Sequence, residues 1–172
     1  MRFVYMAVAF LTMLGVASAQ QTGTLRVKVN PGRTGVFVDG KYVGPAKNLG
    51  HTRRYKLAAG EHEVVLREPR YQDQSQKVTI TAGKTTTIAP GMQAKELLKP
   101  PFGVLRTVGF EKFAPVYVNG HYVGHADEFN ASAQGLLLNP GDYDVKITDV
   151  NGGTLAEKKV TIREKVTEII RK

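Results

Sequence analysis

The sequence predicts an all-β protein of two small tandem antiparallel β-sandwich domains behind an N-terminal signal helix. Three observations favour this fold class. The chain has 18 glycines in 172 residues, with short runs of valine and threonine, a mixture typical of short strands and tight turns. Asp-Gly and Asn-Gly dipeptides lie between strand-forming residues. One eleven-residue pattern occurs twice.

The first nineteen residues have the pattern of a secretory signal. Arg2 precedes an apolar run over residues 3–16, and Ala17-Ser18-Ala19 follows as a small-residue cleavage motif. The run is short for a permanent membrane span. We therefore expect cleavage after Ala19, leaving no stable transmembrane segment; the alternative is an uncleaved N-terminal anchor.

An internal duplication organises the remaining chain. The pattern VFVDGKYVGPA at residues 36–46 returns as VYVNGHYVGHA at residues 116–126. The flanking matches are residues 23–26 with 103–106, 57–64 with 138–145, and 77–80 with 159–162. The predicted units are a signal peptide (1–19), a first β-sandwich (20–88), a linker (89–102) and a second β-sandwich (103–172).

Each repeat is close to the lower size limit for an independent core. The chain has no cysteine, so neither a disulfide nor an N-terminal cysteine lipid is available. Each repeat is therefore expected to be marginal alone, and to pack on the other repeat or on a partner. Within the linker, Met92–Lys99 could form one or two helical turns, and Pro100-Pro101 stiffens the exit.

Two-residue hairpins are predicted at Asp39-Gly40 and Asn119-Gly120, because a type I′ turn needs positive φ at both central residues. The expected cross-strand pairs are Val38–Lys41, Phe37–Tyr42 and Val36–Val43, then Val118–His121, Tyr117–Tyr122 and Val116–Val123. Further strands are predicted at 24–29, 62–66, 77–81, 85–88, 104–108, 143–147, 159–162 and 166–170. A helix over 164–172 is the alternative at the C-terminus, and the repeat argues against it.

His121 and His125, with Asp127 and Glu128 behind them, raise the question of a metal site. Two histidines four residues apart, one on a strand and one just past its end, do not have their rings close together. A zinc site also needs three or four ligands. The first repeat has Lys41 and Pro45 at the two histidine positions. We therefore predict surface histidines and no metal.

No complete catalytic constellation is visible. Serine occurs only at positions 18, 75 and 132, outside any nucleophile motif. The acidic pairs Glu61/Glu63 and Asp142/Asp144 recur at matching turn positions, which indicates turn chemistry. The sequence therefore predicts no enzyme, no catalytic residues and no cofactor.

The formal net charge is +9, and some of the basic residues gather in two clusters. The first holds Lys47, Arg53-Arg54, Arg67 and Arg70; the second holds Lys158-Lys159, Arg163, Lys165 and Arg171-Lys172. Expected export disfavours nucleic acid as a partner. The expected partner is an envelope protein or an anionic cell-surface polymer, and ordinary solvated strand faces are the simpler interpretation.

The ordered motifs resemble PEGA domains, short β-sandwich modules of bacterial and archaeal envelope proteins. The resemblance rests on a G-x-L-x-V strand, the VFVDGKYVG and VYVNGHYVG hairpins, and the LAAGEHEV and LNPGDYDV turns. Neither copy contains the literal sequence PEGA before its hairpin. The later aromatic residue is Tyr71 in copy one, and copy two has Gly152-Gly153 instead. The family has no known catalytic residue set, so the resemblance implies none here.

The resemblance implies an exported, non-enzymatic structural or interaction module of the cell envelope, periplasmic or extracellular. The alternative is a carbohydrate- or cell-wall-polymer-binding protein that uses exposed aromatic side chains. The candidates for that surface are Phe37, Tyr42, Tyr117 and Tyr122.

Overall fold

The computed structural model describes residues 21–50 and 55–172. The expected signal helix (1–19) and Arg53-Arg54 of the first basic cluster lie outside the described residues. The strands of the first repeat are β1 (Thr22–Val27), β2 (Gly35–Val38), β3 (Lys41–Pro45), β4 (Tyr55–Ala58), β5 (Gly60–Arg67), β6 (Gln74–Ile80) and β7 (Thr85–Ile88). Those of the second are β8 (Gly103–Val108), β9 (Pro115–Val118), β10 (His121–His125), β11 (Leu136–Leu138), β12 (Gly141–Thr148), β13 (Thr154–Ile162) and β14 (Thr167–Arg171).

Each repeat consists of a four-stranded and a three-stranded sheet packed face to face. The strand orders are β3-β2-β5-β6 with β4-β1-β7, and β10-β9-β12-β13 with β11-β8-β14. The identical order in both halves confirms the all-β tandem prediction. Alternating residues enclose each core, because successive side chains in a strand point to opposite faces. Leu25, Val36 and Val64 are fully buried in the first core, and Leu105, Val116 and Ile147 in the second.

The sheets are mostly antiparallel, as predicted, and the exception is one parallel pair in each repeat. Strand β1 pairs in parallel with β7, and β8 pairs in parallel with β14. A parallel pair needs a long crossover connection. The intervening strands supply it, since the chain leaves the three-stranded sheet, builds the other sheet and returns.

The hairpin prediction is confirmed at both tips. Asp39 and Gly40 have φ of 49° and 78°, and Asn119 and Gly120 have φ of 48° and 77°. Val38–Lys41 and Phe37–Tyr42 pair as predicted, as do their counterparts in the second repeat.

The predicted Val36–Val43 and Val116–Val123 pairs are wrong. Val36 pairs with Gly44, and Val116 with Gly124, because a β-bulge adds one residue to β3 and to β10. Gly44 and Gly124 have φ of 129° and 126°, a backbone conformation that side chains rarely adopt.

Short helical segments follow both bulged strands and were not predicted. They are helix α1 (Ala46–Gly50) and a single 3₁₀ turn (Ala126–Glu128). The helical turns suggested for Met92–Lys99 are absent. That segment instead follows the first repeat, where the Lys95 amide donates to the Arg70 carbonyl and Met92 packs on the core. The helical alternative for the C-terminus is also wrong, since strand β14 lies there.

No helix among the described residues is both long and apolar enough to cross a bilayer.

Candidate functional site

The two repeats meet at an aromatic cluster. Phe37, Tyr42 and Tyr122 are buried together, with exposed fractions of 3%, 6% and 7%. The Phe37 ring centroid lies 5.4 Å from each tyrosine centroid in edge-on geometry, and the tyrosine rings stack at 5.9 Å. Three of the four aromatics predicted to be exposed for carbohydrate binding therefore form the contact between the repeats. The fourth, Tyr117, is half-buried beside them.

Gly35 allows the close approach of the two repeats. A Cβ atom at this position would lie 2.8 Å from the Tyr122 ring, inside van der Waals contact. The second repeat has Pro115 at the matching position. The first repeat therefore has no side chain at the position where the Tyr122 ring of the second repeat lies. This is why the aromatic hairpins can lie against each other.

His125 lies at the centre of a buried polar network, so the prediction that it is a surface histidine is wrong. Its exposed fraction is 0%. Its Nε2 atom lies 2.6 Å from the Tyr42 hydroxyl and 2.9 Å from the Tyr122 hydroxyl. Its Nδ1 atom is 2.7 Å from Glu128 Oε1. A carboxylate only accepts hydrogen bonds, so Nδ1 carries the proton of that bond.

An ion-pair cluster closes one side of this network. The Arg33 guanidinium donates through Nη2 to Asp127 Oδ2 at 2.7 Å, from the first repeat to the second. Its Nε lies 3.2 Å from Glu128 Oε2, an ion-pair distance without hydrogen-bond geometry. The Phe113 amide donates to the other Asp127 oxygen at 3.0 Å. The charges at this contact are therefore paired within the protein.

The contact relates equivalent positions of the two repeats reciprocally. Arg33 corresponds in sequence to Phe113, and Lys47 to Asp127. Arg33 pairs with Asp127, and in the reciprocal contact the Lys47 ammonium lies 4.8 Å from the Phe113 ring centroid. The equivalent residues Tyr42 and Tyr122 contact each other. This is the pattern of a twofold homodimer interface, here between two halves of one chain.

Burial and pairing set the protonation of the network. Burial raises the pKa values of Tyr42 and Tyr122, so both hydroxyls stay protonated at neutral pH. Burial also acts to raise the pKa values of Asp127 and Glu128. Hydrogen bonds from Arg33 and His125 outweigh burial, and both carboxyl pKa values are lowered. The network therefore holds two ionised carboxylates and two neutral phenols.

His121 is exposed just after the hairpin tip, as predicted, at the opposite end of β10 from His125. The structure therefore does not bring the two histidines together. Within the described ranges, no group of three or more His, Cys, Asp or Glu side chains could hold a metal ion.

The acidic turn residues bond to neighbouring strands. The Ser75 hydroxyl donates to Glu63 at 2.7 Å, and the Thr161 hydroxyl donates to Asp142 at 2.6 Å. These bonds cross from one strand to the next, which agrees with turn and strand chemistry at these positions.

The first basic cluster is partly neutralised. Arg67 donates to Asp73 at 3.0 Å while its guanidinium lies 4.7 Å from the Phe37 ring centroid. Arg70 pairs with Glu68. The described part of this cluster is therefore not a free cationic patch.

A cleft of about 450 Å³ opens at the junction of the repeats. The tip of the first hairpin forms one side, with Lys41, and the β12–β13 hairpin forms the other. Its polar lining residues include Asp144, Lys146, Asp149, Asn151 and Glu157, and Tyr117 contributes an aromatic ring. Ligand-binding clefts commonly combine aromatic side chains with a few polar groups.

Sequence reasoning missed Arg33 and Glu128 as interface residues. One signal was present, since the second repeat replaces Pro45 with His125 and Asn48 with Glu128 inside a well-kept pattern. Two polar replacements close together, next to a strand end, indicate that these two side chains interact. Only the packing of one repeat on the other shows that they belong to a hydrogen-bonding network shared by both repeats.

Two solved structures share a distant likeness with the chain. The Bacillus anthracis TIE protein has 16% identity and a TM-score of 0.29, over 88% of this chain and 33% of that one. SGBP-B of the Bacteroides ovatus mixed-linkage glucan utilization locus, solved with a mixed-linkage heptasaccharide, has 14% identity and a TM-score of 0.22. That match covers 86% of this chain and 43% of the other. The chain thus spans less than half of either protein.

The sequence matches no curated protein. The PEGA domain model matches residues 22–95, which include all seven strands of the first repeat and the start of the linker. The second repeat has the same strand order and the same hairpin conformation. Residues 22–95 therefore form a PEGA domain, and the chain as a whole has a tandem PEGA-like architecture.

Proposed function

We propose that this protein is an exported, non-enzymatic interaction module of the bacterial cell envelope, in which two PEGA-like repeats act as one rigid unit. The observation that carries the proposal is the buried contact between the repeats. Phe37, Tyr42 and Tyr122 bury their rings there, and His125 is fully enclosed. A network whose tyrosines and histidine are buried, and whose partly buried carboxylates are ion-paired, is suited to hold two units together rather than to receive a substrate.

Export is supported by the signal-type pattern of residues 1–19 and by the occurrence of PEGA domains in exported proteins. The absence of catalysis is supported by the roles of the polar side chains. The Ser75 hydroxyl donates to Glu63, and the buried His125 ring is hydrogen-bonded to two tyrosine hydroxyls and a carboxylate. Each of these groups contributes to the fold.

Fractionation followed by cross-linking in the native envelope tests this proposal. We expect the protein in the periplasmic or surface fraction, cross-linked to a small set of envelope proteins. A cytoplasmic location, or turnover of a small-molecule substrate that is lost on replacing one side chain, would contradict it.

The junction cleft favours a second candidate function, binding of a carbohydrate or cell-wall polymer. Lys41 and Asn151 line it and are exposed. Retention on peptidoglycan or an acidic polysaccharide would then fall with rising salt. Lys41→Ala and Asn151→Ala should weaken retention, whereas Lys56→Ala, an exposed lysine outside the cleft lining, should not. Equal retention of all three variants would exclude the cleft as the binding site.

A further inference from the structure

The three-stranded sheets of the two repeats have outer faces of opposite character. In the second repeat, six outer-face positions of β8, β11 and β14 are Val104, Arg106, Val108, Leu137, Thr167 and Ile169, and a seventh, Arg171, lies beside Val108. Their neighbours Leu105 and Ile170 point into the core. The cross-strand register places Leu137 beside Val104, Val104 beside Thr167, and Arg106 beside Ile169. We call these six residues the second outer face.

The first repeat supplies a matched comparison in the same fold. The equivalent positions, paired by the same register, are Thr24, Arg26, Lys28, Lys56, Thr85 and Thr87. Two of the six positions carry the same residue in both repeats: Arg26 matches Arg106, and Thr85 matches Thr167. The other four positions carry threonine or lysine in the first repeat and valine, leucine or isoleucine in the second. Since the first repeat folds with a polar face, the fold does not require the apolar residues of the second.

The linker adds a second apolar wall to this face. Leu97 and Leu98 are 81% and 59% exposed, and Leu137 and Ile169 are 48% and 39% exposed. Leu97, Leu98, Val104 and Leu137 lie in the lining of one groove of about 940 Å³, formed by the linker, the second repeat and residues of the first repeat such as Arg33 and Arg70. Isolated apolar side chains are normal on a surface, whereas several exposed apolar side chains gathered in one groove mark a contact site.

Unpaired positive charge lies on the second outer face and at one point of the groove. The carboxylates that line the groove form ion pairs within the chain: Glu68 with Arg70, Glu96 with Lys99, while Asp127 and Glu128 share Arg33.

Lys95, Arg106 and Arg171 form no ion pair within the part of the chain that the structure describes. Arg106 Nε is also buried there without a hydrogen-bond partner. Arg106 lies beside Ile169 and Arg171 beside Val108 on the outer face, and Lys95 lines the groove, so these three cations favour an acidic ligand.

The free edge of β11 gives the geometry of binding. Strand β11 is the terminal strand of its sheet and pairs only with β8 among the described strands. Leu136 and Leu137 of this strand, and Gly135 just before it, line the groove. An extended peptide can pair with such an edge while alternate side chains enter apolar pockets.

We propose that the second outer face and the β11 edge bind an extended, acidic segment of a partner protein by strand addition. This inference rests on the proposed role as an interaction module and adds the chemistry of the partner. A second copy of this chain is disfavoured, because a twofold contact would bring like unpaired charges together. A lipid surface is disfavoured, because hydrocarbon would cover the backbone groups of the β11 edge without pairing them.

The test uses the protein purified from cells that express it with its own leader, and a displayed library of random ten-residue peptides. We expect enriched peptides to be acidic, with apolar residues at alternate positions. They should bind the Val104→Thr/Leu137→Thr/Ile169→Thr variant at least tenfold more weakly than the wild type. This variant keeps the net charge and places threonine on the second outer face, which is the first-repeat residue at two of the three equivalent positions, Thr24 and Thr87. The matched control Thr24→Ala/Thr87→Ala, on the outer face of the first repeat, should bind within twofold of the wild type.

Two further measurements separate strand addition from other contacts. Methylating alternate backbone nitrogens of a selected peptide should reduce its binding at least tenfold in one of the two registers, because strand pairing needs those donors. Lys95→Gln/Arg171→Gln should weaken binding about threefold or more and reduce its salt dependence.

Several results would overturn the proposal. These are no enrichment on the wild type over the triple variant, enrichment of basic peptides, or insensitivity to methylation in both registers. Binding of phosphatidylglycerol vesicles that depends on the same face, without peptide binding, would assign the face to a membrane instead. If wild type and triple variant capture the same envelope partners equally in cross-linking, the interaction module stands and this inference fails.

Discussion

Gly35→Ala probes how tightly the two repeats are joined. The new Cβ would lie 2.8 Å from two carbon atoms of the Tyr122 ring and 3.0 Å from its hydroxyl oxygen. Ordinary contact needs roughly 3.5–4.0 Å, so the ring or the strand must retreat by several tenths of an ångström or more. Tyr122 cannot turn aside, because Phe37, Tyr42 and His125 enclose it.

Overpacking of this kind costs about 1–3 kcal/mol. For a unit of this size, that corresponds to a fall in Tm of about 2–12 °C. Urea and thermal unfolding, followed by circular dichroism, measure the change. If the interface couples the repeats, the variant unfolds earlier in one transition, or in two transitions where the wild type shows one.

Gly91→Ala is the matched control. No atom lies within 4 Å of the Cβ it would add, and its φ is outside the positive range that disfavours side chains. We expect its stability to be within about 0.5 kcal/mol of the wild type. If Gly35→Ala were as stable as Gly91→Ala, the close contact between the repeats described here would be wrong.

Three further predictions concern the histidines and tyrosines. Tyr42→Phe removes the hydroxyl that lies 2.6 Å from His125 Nε2, and it should lower the free energy of unfolding by about 1–2 kcal/mol. Tyr143→Phe is the half-buried control and should lower the free energy of unfolding by less. His125→Ala should lower the free energy of unfolding by about 3 kcal/mol, because it leaves buried hydroxyls without a partner. His121→Ala, at an exposed position, should leave the free energy of unfolding nearly unchanged. Equal effects of the two variants in urea unfolding would refute the buried network. A hydrogen bond to Asp39 raises the pKa of His62 and lowers that of Asp39, so the His62 contribution to stability is full below about pH 6.5 and is lost as pH rises through its folded pKa. The Asp39 contribution is present above about pH 3.9 and is lost as pH falls through the folded pKa of Asp39. In Asp39→Asn, which reproduces the Asn119 turn of the second repeat, the NMR titration of His62 should move back toward its ordinary value, and an unchanged titration would show that Asp39 is not the cause.

The hairpin tips and the buried faces of the strands could be predicted from local sequence. Asp39-Gly40 and Asn119-Gly120 specify their turns, because positive φ at two successive residues restricts which side chains fit. Alternating apolar residues such as Leu25, Val27, Val64 and Leu66 specify which face of each strand is buried, and all four are in the core. Duplication strengthened each inference, since both copies had to fit one fold.

The candidate site could not be predicted in the same way. Phe37, Tyr42 and Tyr122 were expected on an exposed ribbon face, and His125 was expected in solvent. From one repeat alone those expectations are sound, because the outer face of the hairpin has nothing to cover it. The second repeat covers it in the structure, and the burial of the rings and of His125 follows from that packing.

By itself, the sequence determined the all-β class, the duplication and the turn geometry, because each depends on backbone preferences and spacing within about ten residues. The tertiary structure decided the parallel β1–β7 and β8–β14 pairs and the junction between the repeats. Both join residues that are distant along the chain, such as Arg33 with Asp127, and local propensity carries no information about which distant surfaces meet. The free energy of burying complementary shapes and charges selects those pairs, and it depends on both partners at once.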